Sequence, residues 1–207
     1  AIPLLAQCEI AGRDISADML LTQCPLATYI VEREGHYHFT VKGNQPTLEH
    51  DITLHFKRRG AADFAERPAL AHGRIETRRI WRTTALNDYL DFPHIGQIFL
   101  IEREVLIKKT GEHRCEIALR ITSRPPHEAS PERLLAINRG HWRIESTHYI
   151  IAWNYDEDRT RIRTGHGPEN VTRMRRFAVG ILKSFQKPHQ SIAQMTRHSL
   201  GLARAVG

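Results

Sequence analysis

Cysteines and long apolar runs are scarce in this 207-residue sequence, and each shortage excludes a class of protein. The three cysteines are odd in number and have no CxxC spacing, which argues against a zinc finger or a disulfide framework and for a reducing compartment. No apolar stretch approaches the roughly 20 residues of a membrane-spanning helix, and the start lacks the basic and apolar regions of a secretion signal. We therefore expect a cytoplasmic globular protein without a membrane segment.

Acidic residues are scarce in the last quarter of the chain. The whole sequence has 30 Lys and Arg against 23 Asp and Glu, a formal charge of +7. From Arg159 to Gly207 there are ten Lys and Arg and one acid, Glu169, so this tail carries +9 and the preceding residues −2. Such concentrated positive charge predicts a polyanionic partner, and nucleic acid is the first candidate.

The sequence also lacks an initiator methionine, an internal repeat and a low-complexity segment. Its abrupt apolar start, Ala-Ile-Pro-Leu-Leu, predicts that an upstream part of the protein is absent from these residues. The 41% hydrophobic content is nevertheless sufficient for a substantial core.

The spacing of apolar residues predicts a strand–helix–strand unit near the start of the chain. Strand–helix–strand order implies a parallel pair of strands, and polar ligands bind beyond the carboxyl ends of such strands. The predicted elements are a strand end at 14–18, a helix from Met19 to about Arg33, a strand at 36–41, a turn at 42–46 and a helix from Pro46 to about Phe56.

From residue 72 to 122 the sequence changes to β-rich segments, which we interpret as an antiparallel insertion with a hairpin turn at KKTGEH. The Ser-Pro-Glu sequence at 130–132 supplies an N-cap, a first-turn proline and a first-turn acid, and predicts a long helix that ends near Asn154. Two further helices are predicted, at about 169–186 and 190–205.

Two acidic residues are candidate functional residues. Asp18 follows the first predicted strand, although an aspartate there is also a common helix N-cap, and Asp14 is a rival. Glu145 lies inside the long predicted helix among histidine and aromatic side chains; the alternative is a solvated glutamate paired with Arg139 or Arg143. Without further support, a structural α/β domain with a basic surface is an open alternative.

Support for a functional role comes from a resemblance to a known protein family. Residues 139–170 resemble the C-terminal motif of H-repeat-associated insertion-sequence transposases, in which RxHWxIEN is followed by LHW, an F/Y-x-ED pair and R-x-R. One apparent deletion follows Glu145, and Ser146 stands where the family has Asn. Four more segments resemble the family in the same order: ADMLLTQ at 17–23, YHFTVKGNQPTL at 37–48, HGRIETR at 72–78 and LDFPHIGQ at 90–97.

The resemblance implies an α/β fold with an RNase H-like core, incomplete here, that carries a β-rich insertion and a C-terminal helical part. Its implied segments are 1–71 as part of the core, 72–125 as the insertion, and 126–207 as the helices that complete the core and the basic tail.

The implied activity is that of a DDE-type DNA transposase, which cleaves and transfers DNA strands with two Mg²⁺ or Mn²⁺ ions. Asp18 and Glu145 correspond to the second and third metal-binding catalytic acids, and the first aspartate belongs to an upstream segment. Because that first acid bridges both ions, we expect these residues alone to be weakly active or inactive. The alternative is a non-catalytic remnant that binds DNA or dimerises.

The expected partner is double-stranded DNA at transposon ends, with a possible homodimer on the DNA, in a bacterial cytoplasm. Arginines in the tail suit phosphate contacts, although a solvated helix face is the plain alternative. Trp142 could stack on a DNA base, although an aromatic side chain at helical spacing more often belongs to the core. His141 is expected to orient Glu145. The residues expected to contact DNA are Lys42, Arg139, Trp142, Arg161, Arg163, Arg173 and Arg176.

Overall fold

A computed structural model describes residues 1–71, 73–141, 161–187 and 190–196. The chain divides into two units, residues 1–141 and 142–207. None of the helices in the described ranges is long and apolar enough to cross a membrane.

The first unit contains a seven-stranded mixed sheet. Its strands are β1 (Asp14–Ala17), β2 (His36–Val41), β3 (Phe64–Ala65), β4 (Ala69–Ala71), β5 (Arg74–Thr83), β6 (Gln97–Ile107) and β7 (His113–Thr122). Their order across the sheet is β1-β2-β7-β6-β5-β3, and β4 also pairs with β5. The β1–β2 pair is parallel and the other pairs are antiparallel.

Five helices are named here, and residues 192–196 are also helical. The five named helices are α1 (Ile2–Leu5), α2 (Cys24–Glu32), α3 (Pro46–Phe56), α4 (Pro131–His141) and α5 (Gly167–Ser184). A short 3-10 turn, Met19–Leu21, follows β1.

The predicted parallel strand–helix–strand unit is confirmed, but the helix predicted from Met19 is wrong at its start. The chain forms the 3-10 turn first and leaves it at Thr22, and α2 begins only at Cys24. Proline lacks a backbone N–H and is tolerated only in the first turn of a helix. Pro25 therefore lies in the first turn of a separate helix, α2, and does not continue the 3-10 turn. The predicted strand at 36–41 and the helix at 46–56 match β2 and α3.

The predicted antiparallel character of the β-rich segment is also confirmed. The KKTGEH turn joins β6 to β7 and uses Gly111 at a φ of 70°. The sequence did not predict that β7 would pair with β2, through Phe39 and Ile121 among others. These strands therefore extend the same sheet that carries the parallel pair.

The later helices begin close to their predicted positions. The Ser130 Oγ accepts a 3.3 Å hydrogen bond from the backbone N–H of Arg133, as an N-cap does, and α4 starts at Pro131. The predicted end of this helix near Asn154 lies outside the described residues. α5 overlaps the helix predicted at 169–186, and residues 192–196 are helical within the one predicted at 190–205.

Alternate residues of the strands face two apolar clusters on opposite sides of the sheet. On β6, Ile98 and Leu100 join the cluster that contains α2 and α3, whereas Phe99 and Ile101 join the cluster that contains α4. The period of two residues that distinguishes the faces of a strand explains this alternation. The first unit thus has helices on both faces of its sheet.

Candidate active site

Asp18 lies at the carboxyl end of the parallel pair of strands. It directly follows Ala17, which pairs with Phe39 of β2. Its Oδ1 accepts a 2.7 Å hydrogen bond from the backbone N–H of Met19, so Asp18 is the N-cap of the 3-10 turn. The residue is exposed, and no other hydrogen bond to its carboxylate is present in the described part of the chain. Capping occupies one oxygen and leaves the other open to a ligand.

The turn after β2 lies against the turn after β1. The side-chain amide of Asn44 donates to the backbone carbonyl of Met19 at 2.5 Å, and that of Gln45 donates to the carbonyl of Thr22 at 3.0 Å. Lys42 is the first residue after β2 and is exposed. Because the two strands are parallel, Lys42 and Asp18 lie at the same edge of the sheet.

Thr22 and Thr40 join these two turns to the strands. The Thr22 hydroxyl donates to the carbonyl of Thr40 at 2.6 Å, and the Thr40 hydroxyl donates to the carbonyl of Ala17 at 3.3 Å. Thr22 is fully buried. The backbone that precedes and follows Asp18 is therefore fixed by side-chain hydrogen bonds from two directions.

A buried arginine lies close to Asp18, and sequence reasoning missed it. Arg120 on β7 pairs with Thr40 across the sheet and is 5% exposed. Burial lowers the pKa of Arg120 to about 10, and the negative charge of Asp18 opposes this shift. Within the described ranges its Nε has no hydrogen-bond partner. Arginine in the middle of an apolar strand gives no sequence signal that it will be close to an acid on a distant strand.

His141, the last residue of α4, contacts β1. Its Nδ1 lies 3.1 Å from the Oγ of Ser16, which is two residues before Asp18 on the same strand. The predicted role of His141 was to orient Glu145. Glu145 and Trp142 lie outside the described residues, so that role stays a prediction.

Asp14, the rival of Asp18, lies at the opposite end of β1 in a cluster of charged groups. Its Oδ1 accepts hydrogen bonds from His38 Nε2 at 3.0 Å and Arg124 Nε at 2.5 Å, and its Oδ2 accepts one from Arg133 at 3.0 Å. Partial burial raises the pKa of Asp14, but the hydrogen bonds from His38 and Arg124 outweigh this and hold it well below its usual range. Both oxygens of Asp14 are thus occupied, unlike those of Asp18.

Comparison with known proteins agrees with the resemblance noted in the sequence. A family profile described as "Transposase DDE domain" matches residues 1–178. The chain belongs to this family.

Two relatives of this chain come from Escherichia coli. The chain is 27% identical over 195 residues to "Putative transposase YncI" of strain O157:H7, with 88% of the chain and 49% of the relative covered. It is 26% identical over 194 residues to "H repeat-associated putative transposase YhhI" of strain K12, with 88% and 50% covered.

A third relative is an "Uncharacterized protein in dhlA 3'region" of Xanthobacter autotrophicus. It is 35% identical over 144 residues, which cover 63% of the chain and 45% of the relative. The chain thus spans about half the length of the curated relatives it matches.

DDE transposases typically use divalent metal ions, for which carboxylate oxygens are suitable ligands. The open oxygen of Asp18 fits that chemistry. No group of three or more acidic, histidine or cysteine side chains placed to hold a metal ion occurs within residues 1–71, 73–141, 161–187 and 190–196. Asp18 is therefore not part of a group of three potential metal ligands among the described residues.

The basic residues predicted to contact DNA have different surroundings. Arg139 forms a 2.9 Å ion pair with Glu66, and Arg173 forms a 2.6 Å ion pair with Glu169 one helical turn away. Arg161, Arg163 and Arg176 are exposed. Exposed ion pairs contribute little stability, so these pairs do not prevent an arginine from contacting phosphate.

Proposed function

We propose that this chain is part of a DNA transposase that cleaves and joins DNA strands at the ends of an insertion sequence. The family match over residues 1–178 supports this proposal, as do relatives named as transposases. The observation that carries it is the position of Asp18, an exposed carboxylate at the carboxyl end of a parallel strand.

Asp18 and Glu145 are the second and third metal-binding acids in this proposal. Two bound divalent ions, Mg²⁺ or Mn²⁺, would activate the attacking oxygen and stabilise the leaving oxygen. This chemistry requires both carboxylates to reach the same ions, and His141 to orient Glu145. The fold proposed for it is an RNase H-like core to which residues 1–71 and 126–207 contribute, with residues 72–125 inserted.

Double-stranded DNA is the proposed substrate. A homodimer of the protein would bind it through contacts to the phosphate backbone. Exposed cations support this part of the proposal because phosphate neutralisation needs no sequence-specific geometry. The protein would associate with the nucleoid when bound. The proposed contact residues are Lys42, Arg139, Trp142, Arg161, Arg163, Arg173 and Arg176.

These 207 residues contain matches to two of the three catalytic acids. We therefore expect the chain alone to bind DNA and to cleave it weakly or not at all. The alternative function is a non-catalytic remnant that occupies transposon ends, and the ten basic residues against one acid after residue 158 favour DNA binding in either case.

The test combines two measurements on the purified chain. DNA affinity is measured over a range of salt concentrations, and nicking of a supercoiled plasmid is measured with Mg²⁺ or Mn²⁺. We expect salt-dependent binding and faint nicking that is lost in Asp18→Asn and in Glu145→Gln. Binding with no metal-dependent nicking supports the remnant. Absence of binding at low salt overturns both functions.

Strong nicking separates the remaining possibilities. If either acid substitution abolishes it, the catalytic roles hold and the expected weakness of the chain is wrong. If the nicking survives both substitutions, Asp18 and Glu145 are not the metal ligands.

A further inference from the structure

The Lys-Gly-Asn-Gln sequence at 42–45, here called the amide turn, has a structural role that its sequence does not reveal. Asn44 and Gln45 do not point their amides at one another or at their own backbone. Both amides donate across to the turn that follows Asp18, at 2.5 Å to the Met19 carbonyl and 3.0 Å to the Thr22 carbonyl. These two carbonyls bracket the 3-10 turn.

A single 3-10 turn needs such external donors. The carbonyl of the last residue of a helical turn, here Thr22, has no partner within it. The Met19 carbonyl accepts one bond within the turn, 3.1 Å from the Thr22 backbone N–H, and the bond from Asn44 is its second. Side-chain amides have two N–H donors each and reach further than a hydroxyl. The amide turn therefore supplies the hydrogen bonds that keep residues 19–22 in one conformation.

Met19 connects this support to the acid. Its backbone N–H donates to Asp18 Oδ1 at 2.7 Å, while its carbonyl accepts from Asn44. A displacement of the Met19 backbone would break the capping bond and free the Asp18 carboxylate to rotate. Asn44 thus acts on Asp18 through one residue, and Gln45 acts through Thr22, which is fully buried.

We propose that Asn44 and Gln45 are positioning residues that hold the Asp18 carboxylate in the orientation that binds a metal ion. This inference rests on the proposed role of Asp18. Residues that orient a metal ligand commonly change metal affinity by 10–100-fold when they are removed.

The variants Asn44→Leu and Gln45→Met test the role because they keep side-chain size, add no charge and remove the amide donors. Both positions are at least partly exposed, so folding should survive. Gly43→Ala is a control within the same turn, since an added Cβ meets nothing within 4 Å. Asn87→Leu is a matched control elsewhere, because the Asn87 amide also donates to a backbone carbonyl, that of Gly96 at 2.9 Å.

Mn²⁺ binding to the full chain, measured by electron paramagnetic resonance, is the first readout. Asp18→Asn should abolish the binding to which Asp18 contributes. Asn44→Leu and Gln45→Met should each weaken it by roughly tenfold, whereas Gly43→Ala and Asn87→Leu should not change it. Unchanged Mn²⁺ affinity in both amide variants, when Asp18→Asn loses binding, overturns the inference.

Hydrogen exchange at the Met19 amide is the second readout, and it needs no metal. If Asn44 fixes this backbone, Asn44→Leu accelerates exchange at Met19 and Asn87→Leu does not. Unchanged exchange in Asn44→Leu overturns the positioning role. If exchange accelerates but Asp18→Asn leaves Mn²⁺ binding intact, the positioning of Asp18 stands and its proposed role as a metal ligand is wrong.

Discussion

Arg120 is a single residue whose surroundings conflict with its charge. Its side chain is 5% exposed, and its Nε has no hydrogen-bond partner among the described residues. A buried charge without a close partner loses its hydration and gains little in return. The carboxylate of Asp18 attracts it but forms no ion pair with it in the described structure, so the net effect on folding should be unfavourable.

Replacement of Arg120 by methionine should therefore stabilise the protein. We expect Arg120→Met to raise the free energy of unfolding in denaturant by about 1–4 kcal/mol. Arg114→Met is the control, because Arg114 lies on the same strand and is exposed; surface changes of this kind are usually within about 0.5 kcal/mol. A loss of stability in Arg120→Met would show that the guanidinium has a partner that stabilises it.

Gly96 shows why one segment shared with the transposases is structural. The LDFPHIGQ segment places Leu90 and Phe92 in the core, and the Tyr37 hydroxyl donates to the Pro93 carbonyl at 2.8 Å. A Cβ on Gly96 would lie 2.5 Å from the carbonyl oxygen of Ser123. Close approach of two backbone segments requires glycine here, and a single sequence cannot reveal a contact 27 residues away.

At the scale of the elements, α5 combines a basic stripe with an apolar one. Arg173, Arg176 and Lys183 have helical spacings that place them on one face. The adjacent face exposes apolar side chains, and Val179 is buried. The exposed apolar side chains of this helix and the residue after it are Met174, Phe177, Ile181 and Phe185.

The basic stripe should strengthen DNA binding by neutralising phosphates. Arg173→Ala and Arg176→Ala should each weaken binding on all DNA sequences. Each should also make the slope of log K against log salt concentration shallower by about 0.9 for every phosphate that the variant no longer neutralises. Arg13→Ala, a change of the same charge at an exposed residue of the first unit, should leave the slope unchanged. Equal slopes for all three variants would show that α5 does not bind DNA.

Most helices and strands can be predicted from the local sequence, whereas the distant residues that they contact cannot. Alternating apolar residues predict β2, and Ser130 with Pro131 predicts the start of α4, because strand periodicity and helix caps are local. The hydrogen bond between Ser16 and His141 joins residues 125 apart. Such a pairing depends on the whole sheet, so the sequence carries no short-range sign of it.

The same distinction applies to the candidate site. The position of Asp18 at the carboxyl end of the parallel pair was predictable because a strand end is a local feature. The hydrogen bond from Asn44 to the Met19 carbonyl was not predictable, because the sequence of a turn does not reveal which neighbouring carbonyl its side chain reaches. Asp14 was a rival of Asp18 in the sequence, and the structure shows that hydrogen bonds from Arg124 and Arg133, which lie far away in the sequence, occupy the Asp14 carboxylate.

At the scale of the whole molecule, the cluster around Asp14 ties the start of the sheet to the segment that leads into α4. Arg124 donates to Asp14, to Glu128 at 3.0 Å and to the Gly12 carbonyl at 3.1 Å. Hydrogen bonds to charged groups each contribute roughly 1.5–3 kcal/mol, and Arg124 keeps its bond to Glu128 when the Asp14 charge is removed. Asp14→Asn should therefore lower stability at neutral pH by about this amount, measured as the free energy of unfolding in denaturant.

Burial also makes the cluster sensitive to acid. Burial lowers the pKa of His38, which is 2% exposed, and the Asp14 carboxylate only partly offsets this. The pKa of the neighbouring His36 shifts in the same direction, chiefly through burial and the Arg124 charge. Histidines with lowered pKa values stay neutral in the folded protein while the unfolded chain takes up protons near pH 6.5.

Acidification should consequently destabilise the protein in two steps. Stability should be fully present at pH 7.5, fall as the pH drops below about 6.5 because the unfolded histidines bind protons first, and fall again near pH 4 as the unfolded Asp14 does. Denaturant titrations between pH 8 and pH 3 measure this. His38→Gln should flatten the upper step, while His113→Gln, at an exposed histidine, should not. Stability that rises between pH 7 and pH 5 would show that His38 is charged in the folded protein and paired with Asp14 as an ion.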